Sequence, residues 1–382
     1  MANSNKKKSR PAPAKKSQGK SSAFKGLAAV LVVTAALSYN FVKDYVTDLG
    51  LLLGEVQSLN TAGCAVVPGL EACEDIHLLR GPGLAFLTCG SAEARKGWYP
   101  PVAHLNATTE NAFEDRFIVY NIESKDYESL ELTGLPENTD RVFHGIDAYE
   151  RSPTEYTFFL VNHRRGGSVV EIFDYTLGEK AVRYVETIKH DLIQTPNDIV
   201  ATGPRSFYVS NDHRHHKGGL RVVEENTFVA LDQLASANGM TTNNDRSVLF
   251  VSECYGAAMA ILDRRDDNTL VRKESVKLDF FNDNPSFEPE SGEVFVTGHV
   301  QPLKMAFGLT VPIKPVEAPS KVVKLTKKKG EAKTSVQTVF LDNGKLLSTG
   351  TMTVVDRKRD VMLLTGVFST NGLVRCSVPV GV

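Results

Sequence analysis

Glu74, His144, Asn197, Asn238 and the Asp283-Asn284 pair are the residues whose types and spacing could do chemistry. Each stands at the head of a stretch that ends, about 15–19 residues later, in a short hydrophobic run closed by a polar or glycine residue. Glu74, Asn197, Asn238, Asp283 and Asn284 offer only oxygen donors and two negative charges. Such a set suits a hard divalent cation that takes roughly six to eight oxygens, calcium rather than zinc. No Cys-x-x-Cys pair or His-Glu-x-x-His sequence argues for a softer metal. A cation of that kind can polarise a carbonyl and stabilise a developing oxyanion. His144 could then deprotonate a water, because histidine titrates near working pH, and His163 could orient it. A lone histidine is equally a satisfied core residue, and an ion held only for structure would need the same oxygens. A serine nucleophile has no motif behind it: Gly166-Gly-Ser-Val-Val170 fails the Gly-x-Ser-x-Gly pattern at its last position.

Short strands must position these residues. Leu84–Thr88, Thr157–Val161, Ser206–Ser210, Val248–Ser252 and Glu293–Thr297 are bounded runs rich in Val, Phe and Tyr. No amphipathic helical stretch is long enough to dominate, so the folded region reads as all-β. The heads recur at 74, 144, 197, 238, 283 and, more weakly, near 350, where Ser348-Thr-Gly-Thr351 precedes a strand ending Leu364-Thr-Gly366. Six copies of roughly 50 residues match four-stranded propeller blades. In a propeller the inner strands converge on one channel, so equivalent residues meet at one end of it. Polar side chains gathered there would be costly unless something satisfies them.

Charge divides the chain. Residues 1–25 carry eight basic side chains and no acidic one, leaving 36 basic against 45 acidic groups in the remainder. A folded part that acidic is a poor match for phosphate backbones, and nucleic acid is not the expected partner. An apolar run follows from Gly26 to Tyr39 and extends toward residue 46, interrupted by Lys43 and Asp44. Its length and flanking charge predict a signal anchor over 26–46 with a basic cytoplasmic tail over 1–25. A cleaved signal near Ala36 and Ser38, or a buried core helix, remains open as an alternative. Asn106-Ala-Thr108 is an acceptor sequon for N-glycosylation. The odd count of five cysteines leaves at least one without an intramolecular partner.

Pro196-Asn-Asp-Ile-Val-Ala-Thr-Gly-Pro204 followed by Phe207-Tyr-Val-Ser-Asn-Asp-His213 closely resembles the serum paraoxonase and arylesterase family. So do Phe143–Ile146, Val161–His163, Ala237–Gly239, Asp283-Asn284 and Gly350-Thr351, in the same order, over roughly residues 60–380. The resemblance implies a six-bladed β-propeller with two calcium ions in its channel, hydrolysing aryl esters and lactones. It implies a catalytic calcium on Glu74, Asn197, Asn238, Asp283 and Asn284. A structural calcium would take Asp75, Asp198 and the carbonyl of Ile146. His144 and His163 match the family's histidine pair, His299 matches a further pocket histidine, and Cys64 and Cys376 match its ring-closing disulfide. The family commonly retains its hydrophobic N-terminus, which supports a membrane-anchored, lumenal or extracellular domain over residues 60–382.

One departure stands out: only 24 residues separate His213 from Asn238. That is fewer than the family has there, and the expectation is a third blade lacking an outer strand and part of its roof. This keeps two alternatives in view, a calcium-pinned propeller acting as a binding scaffold and a sugar-lactone hydrolase or strictosidine-synthase-like propeller. His213-Arg-His215-His216 reads as a loop rather than a metal tract, and Lys327–Lys333 as a solvated loop.

Overall fold

A computed structural model describes residues 45–382, except 213–218, 224–227, 233, 311–314, 328–329 and 332, together with residues 39, 42 and 43. The chain divides into two units, Met1–Val46 and Thr47–Val382. Of the first, the described residues are helical at Tyr39, Val42, Lys43, Tyr45 and Val46. The basic tail and most of the expected anchor lie outside the described residues, as do His213, His215 and His216. Among the described residues no helix is long and apolar enough to cross a membrane.

The second unit is mostly β. All but three of its strands fall into six four-stranded antiparallel groups that follow one another along the chain; Trp98–Tyr99 pairs with His104–Leu105, and Glu131–Thr133 runs parallel beside Ala181–Ile188. The first blade is built from Cys73–Leu79, Leu84–Cys89, Arg116–Asn121 and Tyr127–Ser129, and the second from Phe143–Ser152, Glu155–Arg164, Gly167–Thr176 and Ala181–Ile188. The third uses Pro196–Gly203, Ser206–Asn211, Gly219–Val223 and Phe228–Asp232, and the fourth Ala237–Thr242, Val248–Glu253, Ala258–Arg264 and Leu270–Lys277. The fifth uses Phe281–Glu288, Glu293–His299, Ser320–Thr326 and Ser335–Asp342. The sixth takes Gly350–Asp356, Val361–Gly366 and Leu373–Cys376, and its outer strand, Cys64–Val66, comes from before the first blade. The opening strand of each blade touches that of the next, and the sixth touches the first, so the blades close into a ring.

Apolar side chains between adjacent blades hold the ring. Phe86, Phe117 and Phe158 meet between the first two blades, with Phe86 and Phe158 centroids 4.6 Å apart. Phe295, Phe340, Met362 and Leu364 fill the space between the fifth and sixth. Each buried side chain of this size contributes roughly 1.5–3 kcal/mol. Cys64 lies directly opposite Cys376 and is bonded to it, joining the two ends of the ring across 312 residues. Cys73 and Cys89, also directly opposite, form a second disulfide, and Cys254 is a buried free thiol.

The third blade corrects the expectation of a missing outer strand, while its connections over 213–218 and 224–227, on which the roof expectation falls, lie outside the described residues. It keeps all four strands, the outer two shortened to five residues each. Short strands and short connections fit four strands into the 41-residue spacing from Asn197 to Asn238.

Every opening strand breaks register with its neighbour at its head. In the first blade Cys73 faces Cys89 and Ile76 faces Leu87, so Glu74 and Asp75 together oppose Thr88. The same two-against-one bulge falls at His144-Gly145, Asn197-Asp198, Asn238-Gly239 and Asp283-Asn284. In the sixth blade Thr351 is the extra residue. A regular strand sends successive side chains to opposite faces, whereas a bulge turns the extra residue aside. The polar pairs of the sequence are these bulges.

Candidate functional site

The bulges gather Glu74, His144, Asn197, Asn238, Asp283 and Asn284 at one end of the channel. Glu74 accepts a hydrogen bond from Asn284 Nδ2 at 2.8 Å and lies 3.3 Å from His144 Nε2. Its carbonyl accepts from Thr351 Oγ1 and Thr365 Oγ1, so the sixth blade fixes the strand that carries it. Asn197 donates to Asp212 Oδ2 at 3.2 Å. Asp283 Oδ2 pairs with His299 Nε2 at 2.9 Å, and burial pushes its carboxyl above the ordinary value while His299 holds it part of the way back.

Four side-chain oxygens in this cluster, Glu74 Oε2, Asn197 Oδ1, Asn238 Oδ1 and Asn284 Oδ1, are buried with no hydrogen-bond partner among the described residues. Leaving one such group unsatisfied costs about 1–3 kcal/mol, so four on one cluster ask for a common partner. Three are amide oxygens and one belongs to a carboxylate, which is the donor chemistry of a calcium seat. Among the described residues no three His, Cys, Asp or Glu side chains are grouped to hold a metal. Here the donors are mainly asparagine amides.

Backbone closeness keeps the cluster tight. A Cβ on Gly239 would lie 2.1 Å from Asn284 Oδ1 and 2.5 Å from its Cα. A Cβ on Gly145 would lie 2.5 Å from the Asn197 carbonyl oxygen and 2.6 Å from Asp198 Oδ1. Only glycine lets these inner strands approach so far.

Asp75 and Asp198, the second members of their bulges, lie further down the channel. Asp75 accepts from the amides of Ile76 at 2.7 Å and Ile146 at 2.9 Å. Asp198 accepts from those of Ile199 at 2.7 Å and Met240 at 2.6 Å. Burial pushes both carboxyls well above their usual range, with Glu74 adding to the rise of Asp75 and Asp75 to that of Asp198.

The two histidines form a buried chain. His144 Nδ1 is 2.8 Å from His163 Nε2, and His163 Nδ1 is 2.8 Å from Ser168 Oγ. The His163 carbonyl accepts from Trp98 Nε1 at 2.9 Å. Ser168, Trp98 and Tyr99 carry no sequence motif and were not expected here. Tyr99 packs 5.4 Å from the His144 ring, and its buried hydroxyl has no partner among the described residues. It belongs to an excursion of the first blade between Cys89 and Arg116, which folds over the histidines. Arg95 in that excursion pairs with Asp115 at 2.8 Å and donates to the Phe143 carbonyl, while Asp115 accepts from the Phe143 amide. The buried pair thereby ties the excursion to the residue before His144. Asn106, in the same excursion, is exposed.

The arylesterase family model matches residues 55–373. Serum paraoxonase/arylesterase 2 of Bos taurus is 28% identical over 323 residues, covering 80% of this chain and 87% of that protein. Serum paraoxonase/lactonase 3 of Mus musculus is 26% identical over 332 residues, covering 82% and 89%. Among solved structures, a luciferin-regenerating enzyme superposes with a TM-score of 0.52 at 12% identity, covering 85% of this chain and 96% of that one, a likeness of fold. With the family model spanning the ring from before its closing strand into its last blade, the chain belongs to the paraoxonase/arylesterase family.

Proposed function

We propose that this protein is a calcium-dependent hydrolase of aryl esters and lactones, acting through a water activated by His144. The observation that carries the reading is the set of four buried, unpartnered oxygens on Glu74, Asn197, Asn238 and Asn284, with Asp283 beside them. These five residues would hold the catalytic calcium, and Asp75, Asp198 and the Ile146 carbonyl a second, structural one. Bound there, calcium would polarise the substrate carbonyl and stabilise the charge that develops on its oxygen.

The chain's own groups handle the proton. His144 Nε2 faces the channel beside Glu74 and takes a proton from water as its oxygen bonds to the carbonyl carbon. His163 accepts the His144 Nδ1–H and spreads the positive charge, and Ser168 fixes the His163 ring. The proton then passes from His144 to the departing alkoxide or phenoxide as the acyl carbon–oxygen bond breaks. Tyr99 covers the histidines and excludes bulk water, which strengthens each electrostatic contact below it. His299 holds Asp283 in place. The four strands of the third blade support the catalytic reading over a scaffold.

We also place the domain in an oxidising compartment, tethered by residues 26–46. Two disulfides support that reading. Resistance of the full chain to alkaline extraction from membranes and a glycosidase-sensitive mobility shift lost in Asn106→Gln would test it.

The functional test is hydrolysis of phenyl acetate and of γ- and δ-lactones by the full-length protein, with calcium and with EGTA. Activity that disappears with EGTA and in Asn238→Ala is expected. Calcium binding without hydrolysis would refute the catalytic reading, and full activity in EGTA would refute the calcium.

A further inference from the structure

The channel has a second mouth. Beyond the bulges, the far halves of the six opening strands surround a cavity of about 740 Å³. Asp75 and Asp198 line it, while Glu74, Asn197, Asn238, Asp283 and His144 do not. At Gly145 and Gly239 neighbouring opening strands approach so closely that even a methyl group would collide. The lower carboxylates line this cavity, away from the face on which the histidines stand.

The cavity is built to attract cations. Four carboxylates line it, those of Asp75, Asp147, Asp198 and Glu150, against the guanidinium groups of Arg80 and Arg246. The arginines are held back: Arg80 donates to the carbonyls of Val355 and Phe287, and Arg246 to that of Ala201. At the wall, His77 Nδ1 pairs with Asp147 Oδ1 at 2.7 Å, both partly exposed, and Asp147 Oδ2 accepts from the Ala201 amide. Glu150 is exposed at the rim. With Asp75 and Asp198 ionised, as they would be when holding a cation, the mouth has more carboxylates than guanidinium groups, and such a concave excess of one charge raises the local concentration of counter-ions and their rate of entry.

We infer that this lower cavity is the route by which divalent cations enter and leave the channel, with Asp147 and Glu150 as its collecting charges. The inference rests on the calcium reading above. It separates metal traffic from substrate traffic: esters approach the histidine face, and cations exchange through the other end.

The test uses terbium as a luminescent stand-in for calcium, in stopped-flow uptake and in release driven by EDTA, on the full-length protein. Glu150→Gln and Asp147→Asn are expected to slow uptake several-fold each at low ionic strength, with the difference shrinking in about 0.5 M salt. Asn244 lies exposed on the rim of the same cavity. Asn244→Cys capped with a bulky maleimide is expected to slow uptake and release together, while a protein loaded with calcium before capping keeps its hydrolytic rate. Unchanged exchange in the capped protein, or equal uptake rates across all variants, would overturn the inference. If the unmodified protein binds neither terbium nor calcium, the calcium reading itself fails, a result distinct from either.

Discussion

Gly239→Ala should disable the site without replacing any proposed ligand. The new methyl would lie 2.1 Å from Asn284 Oδ1, 2.5 Å from Asn284 Cα and 2.8 Å from Asn284 Cγ. The amide oxygen could swing away, but the Cα belongs to the neighbouring opening strand and cannot move alone. Overpacking of this kind costs about 1–3 kcal/mol, occasionally more. Relief requires the fourth and fifth blades to separate at their bulges, which displaces two of the four unpartnered oxygens, those of Asn238 and Asn284. If 2–3 kcal/mol of that strain is felt by the bound state, calcium affinity falls roughly 30–150-fold. The assay is a calcium titration by calorimetry, alongside the rate of phenyl acetate hydrolysis as a function of free calcium. Gly166→Ala is the control, because a Cβ there meets nothing within 4 Å. A Gly239→Ala protein with unchanged calcium affinity and midpoint would refute the close approach of the strands and the placement of the site at the bulges.

Three further expectations follow from the same geometry. His144→Gln should lower kcat by about 10²–10⁴ with calcium affinity kept, and Ser168→Ala should lower it less, as a group acting through His163; equal calcium affinity and equal kcat in both would refute the relay. Breaking Cys64–Cys376 by paired alanines should cost roughly 5 kcal/mol in denaturant unfolding, because the bond closes nearly the whole ring; a loss near zero would refute that role. Glu288 and Glu293 lie below the ordinary glutamate range: burial raises each, but Ser291 and backbone amides outweigh it for Glu288, and Lys324 and Thr326 for Glu293, with Arg357 adding to both. Their stabilising contribution is present above the ordinary glutamate pKa and is lost as pH falls through the lowered values, so Arg357→Met should move the acid-unfolding midpoint upward by about half a pH unit; an unmoved midpoint would refute the linkage.

Several features of the fold were legible because each blade repeats one hydrophobic strand at a fixed distance from a polar head. The sixth copy is weak because its bulge has one extra residue, Thr351, in place of a pair with a carboxylate, amide or imidazole, and its outer strand, Cys64–Val66, comes from the other end of the sequence. The third blade misled because a segment shorter than the family's implied a missing strand, whereas two five-residue strands suffice at the rim. The cap carrying Tyr99 had no periodic signal. It is an excursion between Cys89 and Arg116, held by the buried Arg95–Asp115 pair, and only tertiary contact reveals what it covers. Ser168 stayed hidden for a similar reason. It lies opposite His163 across a hairpin, a neighbour by register rather than by motif.

The bulges explain why the site's residues come in pairs. A regular strand could send only one of Glu74 and Asp75, or of Asn197 and Asp198, toward the channel, because neighbours alternate. Two residues opposing one on the next strand let both members face inward at different depths. One irregularity thus yields an upper tier of amide and carboxylate oxygens without partners and a lower tier of aspartates held by backbone amides. Where the second member is glycine, as at Gly145 and Gly239, the same bulge brings the adjacent strand close enough to complete the upper tier. The ring supplies convergence, and the bulges supply the second row of groups. Shifting the register of an opening strand by one residue would remove its head from the channel and also turn its apolar residues, such as Ile76, Ile146 and Ile199, away from the cores they fill. The apolar alternation therefore holds each head in place, and the polar pairs mark the site in the sequence.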